Sequence, residues 1–235
     1  MTVDIETLAT YPTESDDWLL TVAIGGVALF LSVLVVPWFL VAGYLVRAIR
    51  AGMAGATEPP GFDDWEQLLR EGVVAGVIGL VYQLVPLVVF AVFVGGSALA
   101  LVTGTDTGTG LGLLGLLGGV VVWWVLAVVF GYVGVAGIAN YASEGTFAAG
   151  FDVDVIRTIV TSRAYLVAWA YVVALNLVVG VVTGVLNFVP VVGALAGLFV
   201  AFYALIIAGW LWGDGVASAT GVDVATAADP GSTTA

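Results

Sequence analysis

Four polar side chains stand deep inside otherwise apolar runs of this chain: Tyr82 with Gln83, and Tyr171 with Asn176. Hydroxyl and carboxamide groups exchange hydrogen bonds without ionising. In a hydrocarbon setting they can hold a small polar solute or a lipid headgroup, or tie one helix to another at about 0.6 kcal/mol per contact. The first use would make them a ligand-binding site between the second and fourth spans, because Tyr171 follows Tyr82 at the same 89-residue offset that relates other features of the chain. The second use is the commoner one for such residues in spanning helices.

Other chemistry has little to work with. The chain contains no Cys and no His, so neither a disulfide framework, a zinc site of the usual kind nor a histidine base can be built. Asp63, Asp64 and Glu66, like Asp152 and Asp154, look like a carboxylate cluster, yet acidic residues early in a helix favourably meet the positive end of its dipole. Gly108-Thr109-Gly110 and Gly213-Asp214-Gly215 follow no predicted strand and open no phosphate-binding motif. No catalytic residue, metal ligand or cofactor is expected, and the chain reads as a non-enzyme. No ionisable side chain other than Tyr falls within the core of a predicted span, which weakens an ion-coupled transport reading.

The elements that position these residues are written in hydropathy. Apolar residues make up 61 % of 235 residues, and several uncharged runs exceed the ~18 residues a spanning helix requires. The pattern predicts an all-α, polytopic membrane protein with five transmembrane helices in a domain over residues 18–212. Trp18 and Trp38 bracket the first span, Leu19 to Leu40. Pro59 and Pro60 break the chain after Arg50. Phe62, Trp65, Leu68 and Leu69 then recur at helical spacing, predicting an interfacial amphipathic helix ahead of a second span over about 72–101. Pro86 lies near the middle of that span. The third span is expected from about Gly118 to Ala139. A second interfacial helix carries Phe151, Val155, Ile159 and Val160 on one face. The uncharged stretch from 164 to 212 divides at Asn187, Pro190 and Gly193 into spans four and five, the last over about 193–212. Acidic tails are expected at 1–17 and 213–235, the latter disordered.

Charge assigns the sides. All five basic residues, Arg47, Arg50, Arg70, Arg157 and Arg163, sit in two gaps between apolar runs, and Lys is absent. Arg beside spans marks the cytoplasmic face, which predicts two inner loops, an outer N-terminus and a cytoplasmic C-terminus in the cell membrane. The formal charge of −12 argues against nucleic acid as a partner and suits a high-salt habitat. The lipid bilayer is the expected partner, together with another membrane protein or a second copy of the chain. Glycines four apart, at 72 and 76, 115 and 119, 180 and 184, and 193 and 197, permit close helix contact.

Gly61-Phe62-Asp63 recurs as Gly150-Phe151-Asp152, and Gly43-Tyr44 as Gly131-Tyr132. Each copy reads as a span, an inner loop, an interfacial helix and a returning span, giving a duplicated two-span unit over about 18–101 and 118–186. Asp16-Asp17-Trp18, Pro37, Gly43 to Arg47, Pro59 to Trp65 and Phe147 to Arg163 together closely resemble the archaeal, halophile-type membrane family known as domain of unknown function 4013. The resemblance implies a multi-pass membrane protein and brings no activity with it. The function expected on these grounds is a scaffold or accessory subunit working through its inner interfacial helices. The alternative is a passive permease or lipid-handling protein using Tyr82, Gln83, Tyr171 and Asn176.

Overall fold

The computed structural model describes residues 5–221, and among these every regular element is a helix. In chain order they are α1 (Ile5–Thr10), α2 (Trp18–Phe30), α3 (Val36–Met53), α4 (Trp65–Val102), α5 (Asp106–Glu144), α6 (Val153–Thr161), α7 (Arg163–Leu186) and α8 (Pro190–Thr220). Short 3₁₀ turns occur at Tyr11–Thr13, Leu31–Val33 and Phe147–Phe151. Four of the helices, α4, α5, α7 and α8, are long and apolar enough to cross a membrane. The pair Ile5–Thr13 and Trp18–Val33, bent by 83°, raises the number to five only if taken as one broken span. The long helices display bare apolar side chains, with Val102 84 % and Phe188 86 % exposed. Surfaces of that kind belong in lipid, as in a multi-pass membrane protein.

The chain divides into two compact units, Met1–Gly76 with Ala136–Ala235, and Val77–Val135. In the larger unit α8 is the central helix, packed by α2, α3, α6 and α7. Glycine makes these approaches close. A Cβ on Gly43 would lie on the Leu68 carbonyl, one on Gly72 on the Phe39 carbonyl, and one on Gly213 on the Ile49 carbonyl, so α3 meets α4 and α8 backbone to backbone. Around this contact the rings of Tyr44, Phe62 and Phe202 pack at centroid distances of 4.7 to 5.8 Å. Loop 54–64 has no helical partners for its carbonyls and is held by aromatic donors instead. Tyr11 Oη donates to Glu58 O at 3.1 Å, Tyr44 Oη to Pro60 O at 2.9 Å and Trp210 Nε1 to Ala56 O at 3.0 Å.

The smaller unit is a helical hairpin made of residues 77–102 of α4 and 106–135 of α5. Gly104, at φ +65°, turns the chain, and the Thr105 hydroxyl accepts from the Gly108 N–H at 3.0 Å. Gly115 faces Ser97, Gly119 faces Phe93, and Gly134 faces the Tyr82 ring, so a small-residue stripe on α5 receives α4. Phe90 and Trp123 pack at 5.4 Å.

Several boundaries differ from the sequence expectation. The expected first span, Leu19 to Leu40, is not one helix. Pro37 has no N–H for the Val33 carbonyl and its ring would strike that carbonyl, so the helix ends and a second starts with Pro37 in its first turn. The expected interfacial helix at Phe62 to Glu71 and the second span are continuous as α4, which has no breaker at their junction and runs on through a fully buried Pro86. The helix expected as the third span, α5, starts at Asp106, well before Gly118, because the intervening Gly–Leu run contains no stop signal. Residues 5–13 are helical and packed, with Leu8 and Tyr11 buried, where an acidic tail is expected. The helix expected as the fifth span, α8, continues to Thr220 and ends at a left-handed Gly221, so it takes in the first residues assigned to the C-terminal tail; the rest of that tail lies outside the described residues. The division of spans four and five at Asn187 and Pro190 agrees with the observed ends of α7 and α8.

Candidate functional site

The four residues expected to bind a ligand fall into different units: Tyr82 and Gln83 in the hairpin, Tyr171 and Asn176 in the larger unit. Gln83 uses its carboxamide across helices, Nε2 donating to the Ala127 carbonyl on α5 at 3.2 Å. Gly131 opposite leaves room for that carboxamide. Asn176 turns back on its own helix, Nδ2 donating to the Val172 carbonyl at 2.8 Å. Tyr171 lines an apolar groove of about 520 Å³ between α7 and α8, to whose lining Leu8 and Ala9 of α1 also contribute. Tyr203, on the opposite wall, donates its hydroxyl to the Ala9 carbonyl and so fixes α1 to α8.

A different polar cluster is assembled where α3, α4 and α5 converge in the larger unit. Glu71, only 7 % exposed, accepts from Arg50 Nη2 at 3.1 Å and from Gln67 Nε2 at 3.1 Å, while its other oxygen lies 3.8 Å from Arg47 Nε. Arg47 reaches past it to the start of α4. Its Nη1 donates to the Asp63 carboxylate at 2.9 Å and to the Asp63 carbonyl at 2.6 Å, and Nη2 donates to the Asp64 carbonyl at 3.1 Å. Arg50 Nε donates to the Ala142 carbonyl at 3.1 Å, tying in the end of α5. Nearby, Asn140 Nδ2 donates to the Ala149 carbonyl at 2.8 Å and holds the next loop.

Two guanidinium groups thus meet two carboxylates and a row of carbonyls. Such a cluster locks helices and can deliver little chemistry, since each charge already has its partner. In the sequence Arg47 and Arg50 served only as markers of membrane side, and Glu71 was given no role. The signal that finds the cluster is local: Arg47 and Arg50 are three apart and Gln67 and Glu71 four apart, so each pair shares a helix face. Among the described residues no group of three metal-ligating side chains converges.

At the start of α4 and between α5 and α6, large apolar side chains stand exposed beside acidic neighbours in the chain. Trp65 is 48 %, Phe147 48 % and Val153 74 % exposed, next to Glu66, Asp152 and Asp154. On α6 Ile156 and Ile159 are buried while Asp154, Arg157 and Thr158 face outward. Asp152 caps that helix, accepting from the N–H groups of Asp154 and Val155 at 3.1 and 3.2 Å.

No curated protein and no solved structure matches the chain. The family model described as "Protein of unknown function (DUF4013)" matches residues 26–188, which takes in α3 to α7 complete, the Arg47–Glu71 cluster and both loops beside it. With well over half of its length matched, the chain belongs to that family.

Proposed function

We propose that the protein is a non-enzymatic scaffold or accessory subunit of the cell membrane, docking a partner through the end that holds Arg47, Arg50 and α6. The observation that carries this reading is the combination at that end of a charge-locked platform with exposed Trp65, Phe147 and Val153. A rigid, ion-paired base holding a few large apolar groups among charges has the make-up of a recognition surface, with apolar anchors inside a polar rim. Positive charge beside spans puts this end in the cytoplasm, together with the end of α8. The surrounding amphipathic segments, α6 and the first turns of α4, lie at the membrane interface in this reading.

The reading includes an internal duplication. Its support is matched punctuation: Gly55 and Gly145, both at positive φ, end the preceding helices, and Asp64 and Asp152 each accept from backbone N–H groups to start the next. Asp64 stands one place past Asp63, the residue that the Gly-Phe-Asp match aligns with Asp152. An archaeal, high-salt origin is part of the same proposal, argued from the acidic, Lys-free composition.

The test is a photo-crosslinking side chain placed at Val153 in the native membrane. One discrete protein adduct, lost in Trp65→Ala and Phe147→Ala variants that retain their thermal unfolding, is the expected result. Adducts with lipid alone overturn the docking function.

One observation favours a second reading, a passive permease or lipid-handling protein: the groove beside Tyr171 is long, apolar and bounded by two candidate spans. In that case Tyr171, which lines the groove, supplies a polar contact to the bound molecule. Lipid retained through purification by the native chain and lost on Val178→Phe, which narrows the groove, would favour it over the scaffold.

A further inference from the structure

We infer that residues 18–53 form a re-entrant hairpin, which enters the bilayer from the Arg-bearing face, turns within the hydrocarbon at 31–35 and leaves by the same face. The inference rests on the membrane reading above. It replaces the full first span expected from the sequence, and it puts the N-terminal segment on the Arg side instead of the opposite one.

Both arms are anchored at one end. Just ahead of α2, Tyr11 donates to Glu58 in the loop that follows Arg50, and its ring packs on Trp210 at 5.6 Å. From there α2 runs along α8 toward the start of that helix, with Gly25 against Phe202 and Gly26 against Phe199. α3 comes back down the same helix. Gly209 meets Ala48, and Gly52 meets Trp210, two turns or more beyond the level of Gly25. It ends where Arg47 and Arg50 join the Glu71 cluster.

Neither arm is long enough to cross. α2 has 13 residues, about 20 Å, and Val36 stands only about 16 Å along the axis from Arg47, against a hydrocarbon layer of ~30 Å. Chemistry at the tip matches lipid of one leaflet. Phe30, Val33, Leu34, Val35 and Val36 are 58 to 87 % exposed, and the lone polar group, the Ser32 hydroxyl, is satisfied by the Ala28 carbonyl at 2.8 Å. Two backbone donors at the turn are bonded within it as well, Leu34 N–H to Leu31 at 2.8 Å and Phe39 N–H to Val35 at 3.3 Å. That satisfaction is what a turn in hydrocarbon requires. The partner of this surface is therefore the acyl region of the Arg-side leaflet, into which the hairpin inserts as a wedge.

The absence of native cysteine makes the test direct. Single variants Ser15→Cys, Thr158→Cys and Val33→Cys are made in sealed vesicles of known orientation. A membrane-impermeant maleimide is expected to label Ser15→Cys and Thr158→Cys from the same side and neither from the other. A nitroxide on Val33→Cys is expected to be reached by oxygen and protected from a water-soluble nickel chelate on both sides. Labelling of Ser15→Cys only from the side opposite Thr158→Cys, or reaction of Val33→Cys with the maleimide from that opposite side, overturns the hairpin while leaving the membrane protein intact. Release of the native chain by alkaline carbonate would instead remove the membrane reading, and the hairpin with it.

Discussion

Glu71 decides how firmly the Arg-bearing end is held. Its carboxylate is buried and serves Arg50, Gln67 and, at longer range, Arg47. Removing it leaves Arg50 without a carboxylate partner and Arg47 with Asp63 alone, and breaking a buried pair costs about 3 kcal/mol or more. Glu71→Ala is therefore expected to lower the melting temperature in detergent sharply. Glu71→Gln, which keeps the volume and one hydrogen bond, should recover part of the loss. Asp63 offers the internal control: it also pairs with Arg47, but its side chain is 86 % exposed, and an exposed pair contributes at most ~1 kcal/mol. Equal effects of Glu71→Ala and Asp63→Ala in a melting series would show that burial of the cluster counts for nothing. The pairing itself was only half legible in the sequence. Helical spacing shows that Arg47 and Arg50 share a face and that Gln67 and Glu71 share another, but no local pattern says that these two faces meet.

Glycine distribution shows the same limit for whole helices. Four pairs with four-residue spacing look alike in the sequence, yet Gly72 and Gly76 lie under Phe39 and Trp38, whereas Gly180 and Gly184 face open space. Gly43→Leu, which must force α3 off the Leu68 carbonyl, is expected to destabilise by ~3 kcal/mol, the upper range for overpacking a close contact. Gly180→Leu has room and exchanges a poor helix former for a good one, so it should leave the melting temperature unchanged or raise it by the equivalent of up to ~1 kcal/mol. A measured loss on Gly180→Leu comparable to that on Gly43→Leu would point to a contact at α7 that a single chain does not make. Helix existence and type were readable, since long uncharged runs admit little else. Ends were not: between Gly72 and its predecessors, and between Leu111 and Gly118, nothing in the composition stops a helix, so α4 and α5 simply continue. Pro37 was visible as a residue, but whether the helix kinks and continues through it or ends ahead of it is decided by packing, not by local sequence.

Charge acts on the molecule as a unit. The chain carries 17 acidic and 5 basic residues, and two of the five, Arg47 and Arg50, are spent on the internal cluster. What remains at the surface is close to uniformly negative, and mutual repulsion of that kind opposes the compact state. Added salt shortens the reach of the repulsion from ~10 Å at 0.1 M to ~3 Å at 1 M, which screens exposed charges strongly and buried pairs weakly. The Glu71 cluster is sheltered and should keep most of its contribution over that range, so relief of repulsion outweighs loss of attraction. Melting temperature in a non-ionic detergent is accordingly expected to rise as KCl is taken from 0.1 M toward molar concentration. Asp63→Ala removes one exposed acid and a salt-sensitive pair together, and should flatten the rise only slightly. A melting temperature that falls steadily with KCl would mean that exposed ion pairs, not acidic repulsion, dominate the surface, and would remove the case for a high-salt protein.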